Sequence, residues 1–232
     1  MIPANNKAIV LAALKQLIGA RNPDVTDTYV HDSYIQHSPL VKDGKTGLQE
    51  ALQQLKKMPA APAPATSPVV RSIEDGHFVM IHMDVAFMGK KMAVVDLYRL
   101  EGGKLAEHWD ATQEQPGEVN ITHGATTIED LAQTVENKQL VAAFYRQPDA
   151  ALLAPDFVSH DPLYTSPGLF DQLTVHRILG EGNFVMVQCS AERNGVNMVV
   201  YDIFRAKNHL LAEHWRVVQV IPAVMPHPNG MI

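Results

Sequence analysis

Leu105-Ala106-Glu107-His108-Trp109 returns letter for letter as Leu211-Ala212-Glu213-His214-Trp215, and these copies hold the only 2 Trp of the chain. From His108 to His214 the offset is 106. The same offset relates Phe78-Val79-Met80 to Phe184-Val185-Met186, Asp96-Leu97-Tyr98-Arg99 to Asp202-Ile203-Phe204-Arg205, and Pro116 to Pro222. Agreement at one fixed spacing marks a duplicated unit, which takes precedence over any local reading. The copies diverge immediately after the repeated word, at Asp110 and Arg216.

The chain has 232 residues, enough for one large domain or two ordinary ones, and the repeat decides for two. We expect a first domain over residues 1–120 and a second, shorter one over 121–232. Net charge is −6 with no Lys/Arg cluster, which argues against nucleic acid and anionic membranes as partners. The single Cys189 cannot form an internal disulfide and reads as a buried strand residue in a reducing compartment. Met1-Ile2-Pro3-Ala4-Asn5-Asn6 lacks the basic-then-apolar order of a signal peptide, and no apolar run approaches membrane-spanning length. The expected location is cytoplasmic.

Val10, Leu11, Leu14, Leu17 and Ile18 recur at helical spacing, predicting a helix over 5–19 capped by Asn5 or Asn6. A short helical piece over 24–31 leads into Tyr34-Ile35-Gln36-His37-Ser38-Pro39. Thr46-Gly47-Leu48-Gln49 has capping-box form and opens a helix carrying Leu48, Leu52 and Leu55. Residues 59–68 hold 4 Pro and read as a stiff, extended connector inside the first unit. Strands are expected near 69–75, 77–88, 91–100 and 104–115, turning at Asp75-Gly76, Gly89-Lys90 and Glu101-Gly102-Gly103. The second unit repeats this order: a helix from Leu131 to Tyr145, then strands near 173–179, 183–193, 196–206 and 210–221. His37 to His160 is an offset of 123, so the second unit is 17 residues shorter between these landmarks. The missing part is the Leu48–Leu55 helix and its Pro-rich tail. Helices followed by long antiparallel strands make each unit α+β, with helices on one face of a curved sheet.

Tyr34-Ile35-Gln36-His37-Ser38-Pro39, Asp96-Leu97-Tyr98-Arg99 and Gly103-Lys104-Leu105-Ala106-Glu107-His108-Trp109-Asp110, with Phe157-Val158-Ser159-His160-Asp161-Pro162 and the second copies of the others, carry a resemblance. The chain resembles the SnoaL-like polyketide cyclase family of the NTF2-like (cystatin-like) superfamily, duplicated in tandem. The resemblance implies two cone-shaped α+β barrels, each enclosing an apolar pocket. It also implies homodimers packed through their sheets, so a tandem copy is expected to form an intramolecular pseudo-dimer, as a monomer or within a homodimer. The tail Pro226-His227-Pro228-Asn229-Gly230-Met231-Ile232 looks like family C-termini and is expected to fold back over a pocket.

The resemblance further implies a pocket acid serving as general acid/base for an intramolecular aldol closure without a cofactor, and Asp110 matches that position. Alternation along a strand puts His108 and Asp110 on one face and Glu107 and Trp109 on the other. The candidate catalytic residues are therefore Asp110, His108 and His37. The candidate ligand-binding residues are Asp96, Tyr98 and Tyr34 in the first unit and His160, Asp202, His214 and Arg216 in the second. Competing structural uses are ion pairs of Asp96 with Arg99 and of Asp202 with Arg205, turn capping by His37 and His160, and packing of Trp109 between the units. Arg216 replaces the acid in the second unit and is expected to hold an anion or to pair with Asp161 or Asp202. The histidines lack zinc-site spacing and no Gly-rich phosphate loop is present, so neither metal nor cofactor is expected. The sequence leaves two readings: a cofactor-free cyclase or isomerase acting on a small apolar or aromatic carbonyl compound, or a non-catalytic small-ligand binder whose second domain is a scaffold.

Overall fold

The computed structural model describes residues 5–58, 66–87, 89–115, 117, 120–161 and 169–232. In the first unit, α1 (Asn6–Ala13) is capped by Asn5, whose side chain accepts from the Ala8 amide at 2.8 Å, and continues as a π-helical turn over Leu14–Gly19. A 3-10 turn (Pro23–Val25) and α2 (Thr26–Tyr29) lead into β1 (Val30–Gln36), so the helical piece ends earlier than its sequence suggested: Val30 already belongs to the sheet. α3 (Gly44–Lys57) follows, then β2 (Val69–Asp75), β3 (Phe78–Phe87), β4 (Lys90–Glu101) and β5 (Lys104–Glu114). The capping-box reading of Thr46 is corrected. Asp43 stands at the N-cap, and its carboxylate accepts the backbone N–H of Gln36 at 2.9 Å instead of capping α3. The Pro-rich expectation falls largely on residues 59–65, outside the described residues.

The second unit comprises a 3-10 turn (Leu131–Gln133), α4 (Thr134–Arg146), β6 (Leu153–Ser159), β7 (Gln172–Glu181), β8 (Phe184–Arg193), β9 (Val196–Lys207) and β10 (Leu210–Val220). The sheets have the same order, β1-β5-β4-β3-β2 and β6-β10-β9-β8-β7. In each, the short first strand runs parallel to the last and all other pairings are antiparallel.

The repeated word explains much of this geometry. Arg99 pairs with Glu107 and Leu100 with Leu105, leaving Ala106 as an extra residue in β5; Ala212 is its counterpart in β10. Such a bulge shifts the alternation by one, so Leu105 and His108 both face the helix side although they are three apart. From His108 onward the period of two holds. His108 and Asp110 face inward to their own unit, while Trp109 and Ala111 face the other sheet.

That second face is the junction of the molecule. Ile73, Met80, Val95, Leu97 and Trp109 of the first sheet share one buried cluster with Leu179, Met186, Tyr201, Ile203 and Trp215 of the second. The result is a pseudo-dimer within one chain. Each Trp is sandwiched. Trp109 stacks on His37 at 4.8 Å and meets the Arg177 guanidinium of the other unit at 4.3 Å. Trp215 stacks on His160 at 5.0 Å and meets Arg71 at 3.8 Å. Arg71 also donates to the carbonyls of Thr122, His123 and Ala125, which ties down the segment joining the units. Gly124 lies in that segment at φ +109°, where an added Cβ would fall 2.8 Å from His160 Nε2 and 2.9 Å from the Trp215 ring.

Because the sheets share one core, urea unfolding is expected to be a single transition, identical by tryptophan fluorescence and far-UV circular dichroism. Trp215→Ala should lower the unfolding free energy by about 3–5 kcal/mol. Two resolved transitions in the native chain would contradict the shared core.

Candidate functional site

α1, its π-helical extension, α3 and the inner face of the first sheet enclose a cavity of about 770 Å³. Leu11, Leu14, Leu17, Leu48, Leu52 and Leu55 line it from the helices, with Val69, Met83, Val85 and Val94 from the strands. Its polar wall is made of Tyr34, Gln36, Ser38, Asp96, Tyr98, His108 and Asp110.

This wall follows from strand register. Asp96 on β4 stands directly opposite Asp110 on β5, and Tyr98 opposite His108. Tyr98 stacks on His108 with ring centres 4.5 Å apart, and its hydroxyl donates to Asp96 Oδ2 at 3.2 Å. Two carboxylates facing each other across a pair of strands repel, and more so away from water. Three contacts organise the group. Ser38 Oγ donates to Asp110 Oδ2 at 2.9 Å, leaving buried Oδ1 without a hydrogen-bond partner among the described residues. The Gln36 side-chain oxygen accepts from the His37 and Ser38 amides at 3.0 and 2.9 Å, which makes it an acceptor toward His108 Nδ1, also at 2.9 Å. His108 therefore carries a hydrogen on Nδ1, and its Nε2 looks toward Asp96 Oδ1 at 3.4 Å, an ion-pair distance without good hydrogen-bond geometry.

The electrostatics match this layout. Burial raises the Asp110 pKa above the ordinary carboxylate value of 3.8, and Asp96 raises it further against the opposing pull of His108 and the Ser38 hydrogen bond. Burial pulls the His108 pKa down, but the facing Asp96 carboxylate, with Asp110 behind it, more than offsets this and the net shift is upward. Tyr34 and Tyr98 are pushed well above their ordinary value by burial and the carboxylates, so both stay neutral phenols. Tyr34 OH accepts from the Gln36 amide at 3.2 Å, so its own hydrogen is free to point into the cavity.

Asp96, His108 and Asp110 also offer three ligand atoms within 4.8 Å of one another, a donor set of one nitrogen and two oxygens that suits a borderline dication. The one remaining free oxygen of Asp110, the Asp96–His108 contact and the apolar surroundings equally suit proton transfer.

His37, placed with the catalytic candidates, does not line the cavity. Its Nδ1 donates to the Gly230 carbonyl at 3.0 Å, its Nε2 lies 2.9 Å from Glu107, and its ring lies on Trp109. His160 has the corresponding place in the second unit, against Glu213 and Trp215. The expected Asp96–Arg99 and Asp202–Arg205 pairs are not formed. Arg99 pairs with Glu107 at 2.8 Å and Arg205 with Glu213 at 2.7 Å, because each arginine points to the opposite sheet face from the aspartate three residues before it.

In the second unit the same register sets Arg216 opposite Asp202. Arg216 donates to both Asp202 oxygens at 2.6 and 2.9 Å and to Asp161 at 3.3 Å; His214 lies 2.9 Å from Asp202, and Tyr145 donates to it as well. Against the cost of burial, Arg216 and His214 hold the Asp202 carboxyl well below the usual range. Asp161 occupies the place of Ser38, so the acid-to-arginine change is accompanied by a serine-to-aspartate change just past the end of the neighbouring parallel strand. Phe144, Val187, Cys189, Val200 and Phe204 form this unit's own core cluster.

Sequence reasoning missed Gln36 and Ser38, which hold His108 and Asp110, and the Arg71/Arg177 pair. The arginines do lie at the offset of 106 and were detectable by that spacing. Gln36 and Ser38 leave no such signal, since Ser159 and Asp161 replace them.

Residues 11–108 match the family model described as the SnoaL-like domain. None of the curated proteins matches the chain by sequence. Among solved structures, the chain is similar to a candidate polyketide cyclase from Acidithiobacillus ferrooxidans, with 20% identity, coverage of 49% of this chain and 92% of that one, and a TM-score of 0.39. It is similar also to a candidate ketosteroid isomerase from Kribbella flavida, with 19% identity, coverage of 42% and 86%, and a TM-score of 0.33. An NTF2-like protein of unknown function from Burkholderia xenovorans gives 18% identity, coverage of 53% and 96%, and a TM-score of 0.39. Among the described residues, no helix is long and apolar enough to cross a membrane.

The raised pKa of Asp110 has a consequence for stability. The folded state holds this proton more tightly than the unfolded chain, so stability falls as pH rises from about 3.8 through the raised value, and the deficit persists at neutral pH. Asp202 has the opposite sign: its contribution is full above 3.8 and is lost as pH falls below it. Asp110→Asn, which keeps an acceptor for Ser38, should therefore raise the urea midpoint at pH 7 but not at pH 3. Asp202→Asn should lower it at pH 7. An Asp110→Asn protein destabilised at neutral pH would refute the desolvated-acid description.

Proposed function

We propose that this protein, whose residues 11–108 match the SnoaL-like domain model, binds a small apolar or aromatic carbonyl compound in the first cavity and catalyses a cofactor-free proton transfer there, as a cyclase or isomerase. The observation that carries the reading is Asp110 Oδ1: a buried carboxylate oxygen, without a hydrogen-bond partner among the described residues, at the polar wall of an otherwise apolar cavity. The proposal takes residues 1–120 and 121–232 as the two domains and leaves the second as a non-catalytic partner, since Arg216 stands in place of the acid.

In the proposed reaction Asp110 removes a proton from the carbon beside the ligand carbonyl. Desolvation makes this carboxylate a stronger base than one in water. The negative charge moves to the carbonyl oxygen, which takes a hydrogen bond from the free O–H of Tyr34. In an isomerisation Asp110 returns the proton to another carbon. In a ring closure the enolate carbon attacks a second carbonyl of the same molecule, and the new alkoxide takes the proton from Asp110. His108, fixed by Gln36, sits beside the carboxylate pair and limits their repulsion as Asp110 cycles between charge states. The leucines and valines bind the carbon skeleton and exclude water; their shape sets which skeleton fits.

The test uses a simple ketone, 2-tetralone, in deuterated water, with exchange of its α-protons followed by NMR. The native protein should accelerate exchange, with a rate that rises with pH through a value above 3.8. Asp110→Asn should reduce the enzymatic rate by on the order of 10²–10⁴-fold while still binding the ketone. Unchanged exchange in Asp110→Asn overturns the acid/base role. Binding without acceleration by the native protein supports the non-catalytic binder instead.

A further inference from the structure

Asp110 and His108 are held by Ser38 and Gln36, and the other end of the chain holds that segment in turn. Asn229 Nδ2 donates to the Gln36 carbonyl at 3.0 Å, His227 Nε2 donates to the Ser38 carbonyl at 2.8 Å, and the Gly230 carbonyl accepts from His37 Nδ1 at 3.0 Å. Three successive residues, Gln36 to Ser38, are thus gripped by three residues of the C-terminal tail, 189 to 193 positions away. On the segment's amide side, the Gln36 side-chain oxygen gathers the His37 and Ser38 N–H groups. The tail leaves β10 of the second unit, and its Met231 is buried in the core shared by both sheets, with Ile221, Met225 and Ile232 against it. His227 is 6% exposed, so its contact is an internal one.

We propose that Asn229 and His227 are positioning residues for the acid/base site of the first unit: the second unit, which lacks an acid of its own at Arg216, supplies the brace that sets Ser38 Oγ on Asp110 and the Gln36 oxygen on His108. The inference rests on the acid/base reading of Asp110. Two features support it. The grip falls on the backbone carbonyls of the two residues whose side chains touch the acid and the histidine, and on the residue between them. It is also directional, because Asn229 and His227 both act as side-chain donors to the Gln36 and Ser38 carbonyls. A hydrogen bond lost here frees the segment by an ångström or less, and acid/base geometry is sensitive on that scale.

Asn229→Asp keeps the shape and removes the donor; His227→Ala removes the other, and His227→Gln retains a side-chain N–H. In the ketone exchange assay, Asn229→Asp and His227→Ala should each lower kcat about tenfold with KM within a factor of about two, and His227→Gln should recover most of the loss. The second measurement is the 15N spectrum of the His108 ring, which should show the Nδ1–H signal moved in Asn229→Asp and His227→Ala and restored in His227→Gln. It is repeated in the Asp110→Asn background, where turnover plays no part. Unmoved His108 signals with folded variants, or a kcat equal to that of the native protein, overturn the proposal. Moved His108 signals together with full activity in Asp110→Asn would retain the brace and reject the acid/base reading on which its kinetic effect depends.

Discussion

Trp109 and Trp215 each lie between a histidine of their own unit and an arginine of the other, and the rest of the molecule is arranged around that exchange. An indole has two faces to satisfy. The histidine face fixes the loop that follows the parallel strand, and the arginine face fixes the opposing sheet. Because β5 and β10 alternate strictly beyond their bulges, anchoring one face of the strand at the junction commits the other face to the interior of its unit. The pairing of the two sheets and the orientation of His108 and Asp110 are therefore one event.

What each unit does with its inward face is an electrostatic choice made on one scaffold. Both place an aspartate on the penultimate strand and a histidine on the last. In the second unit Arg216 balances the charge, and Asp202 becomes a fully bonded member of a buried network whose energy depends on keeping every partner. In the first unit the opposite residue is another acid, the network stays open at Asp110 Oδ1, and the space in front of it is a cavity bounded by α1 and α3. Among the described residues the second unit has no helix corresponding to α3, which helps enclose this space in the first. Proteins commonly give up stability at sites of this kind, where a residue that would be better paired is held unpaired.

Much of this was readable from the chain. The word Leu-Ala-Glu-His-Trp and its offset disclosed the duplication, period-two alternation separated Trp109 from His108 and Asp110, and the strand boundaries followed the turn glycines closely. The Ala106 bulge was not readable, since nothing in the composition distinguishes an extra residue from a paired one. Thr46-Gly47-Leu48-Gln49 had the letters of a capping box, but α3 already starts at Gly44, and the Asp43 carboxylate at its N-cap accepts from Gln36 instead. The role of His37 was misplaced for a related reason: its ring follows Glu107 and Trp109, which sit on the far side of β5 from the cavity. Gln36 and Ser38 escaped because their partners His108 and Asp110 stand 72 residues away and other residue types, Ser159 and Asp161, fill their places in the second copy; the tail was expected to fold back, but its grip on residues 36 to 38 was not foreseen.

The covalent junction of the two sheets carries a consequence for how such a molecule can change. In a dimer of identical chains every substitution is made twice, so an arginine opposite Asp202 would also have been an arginine opposite Asp96, and a serine changed in one copy would be changed in both. Joining the copies end to end makes their association independent of protein concentration and removes that constraint. One copy can then drift toward durability and the other can remain chemically exposed, with symmetry kept only where the two sheets touch.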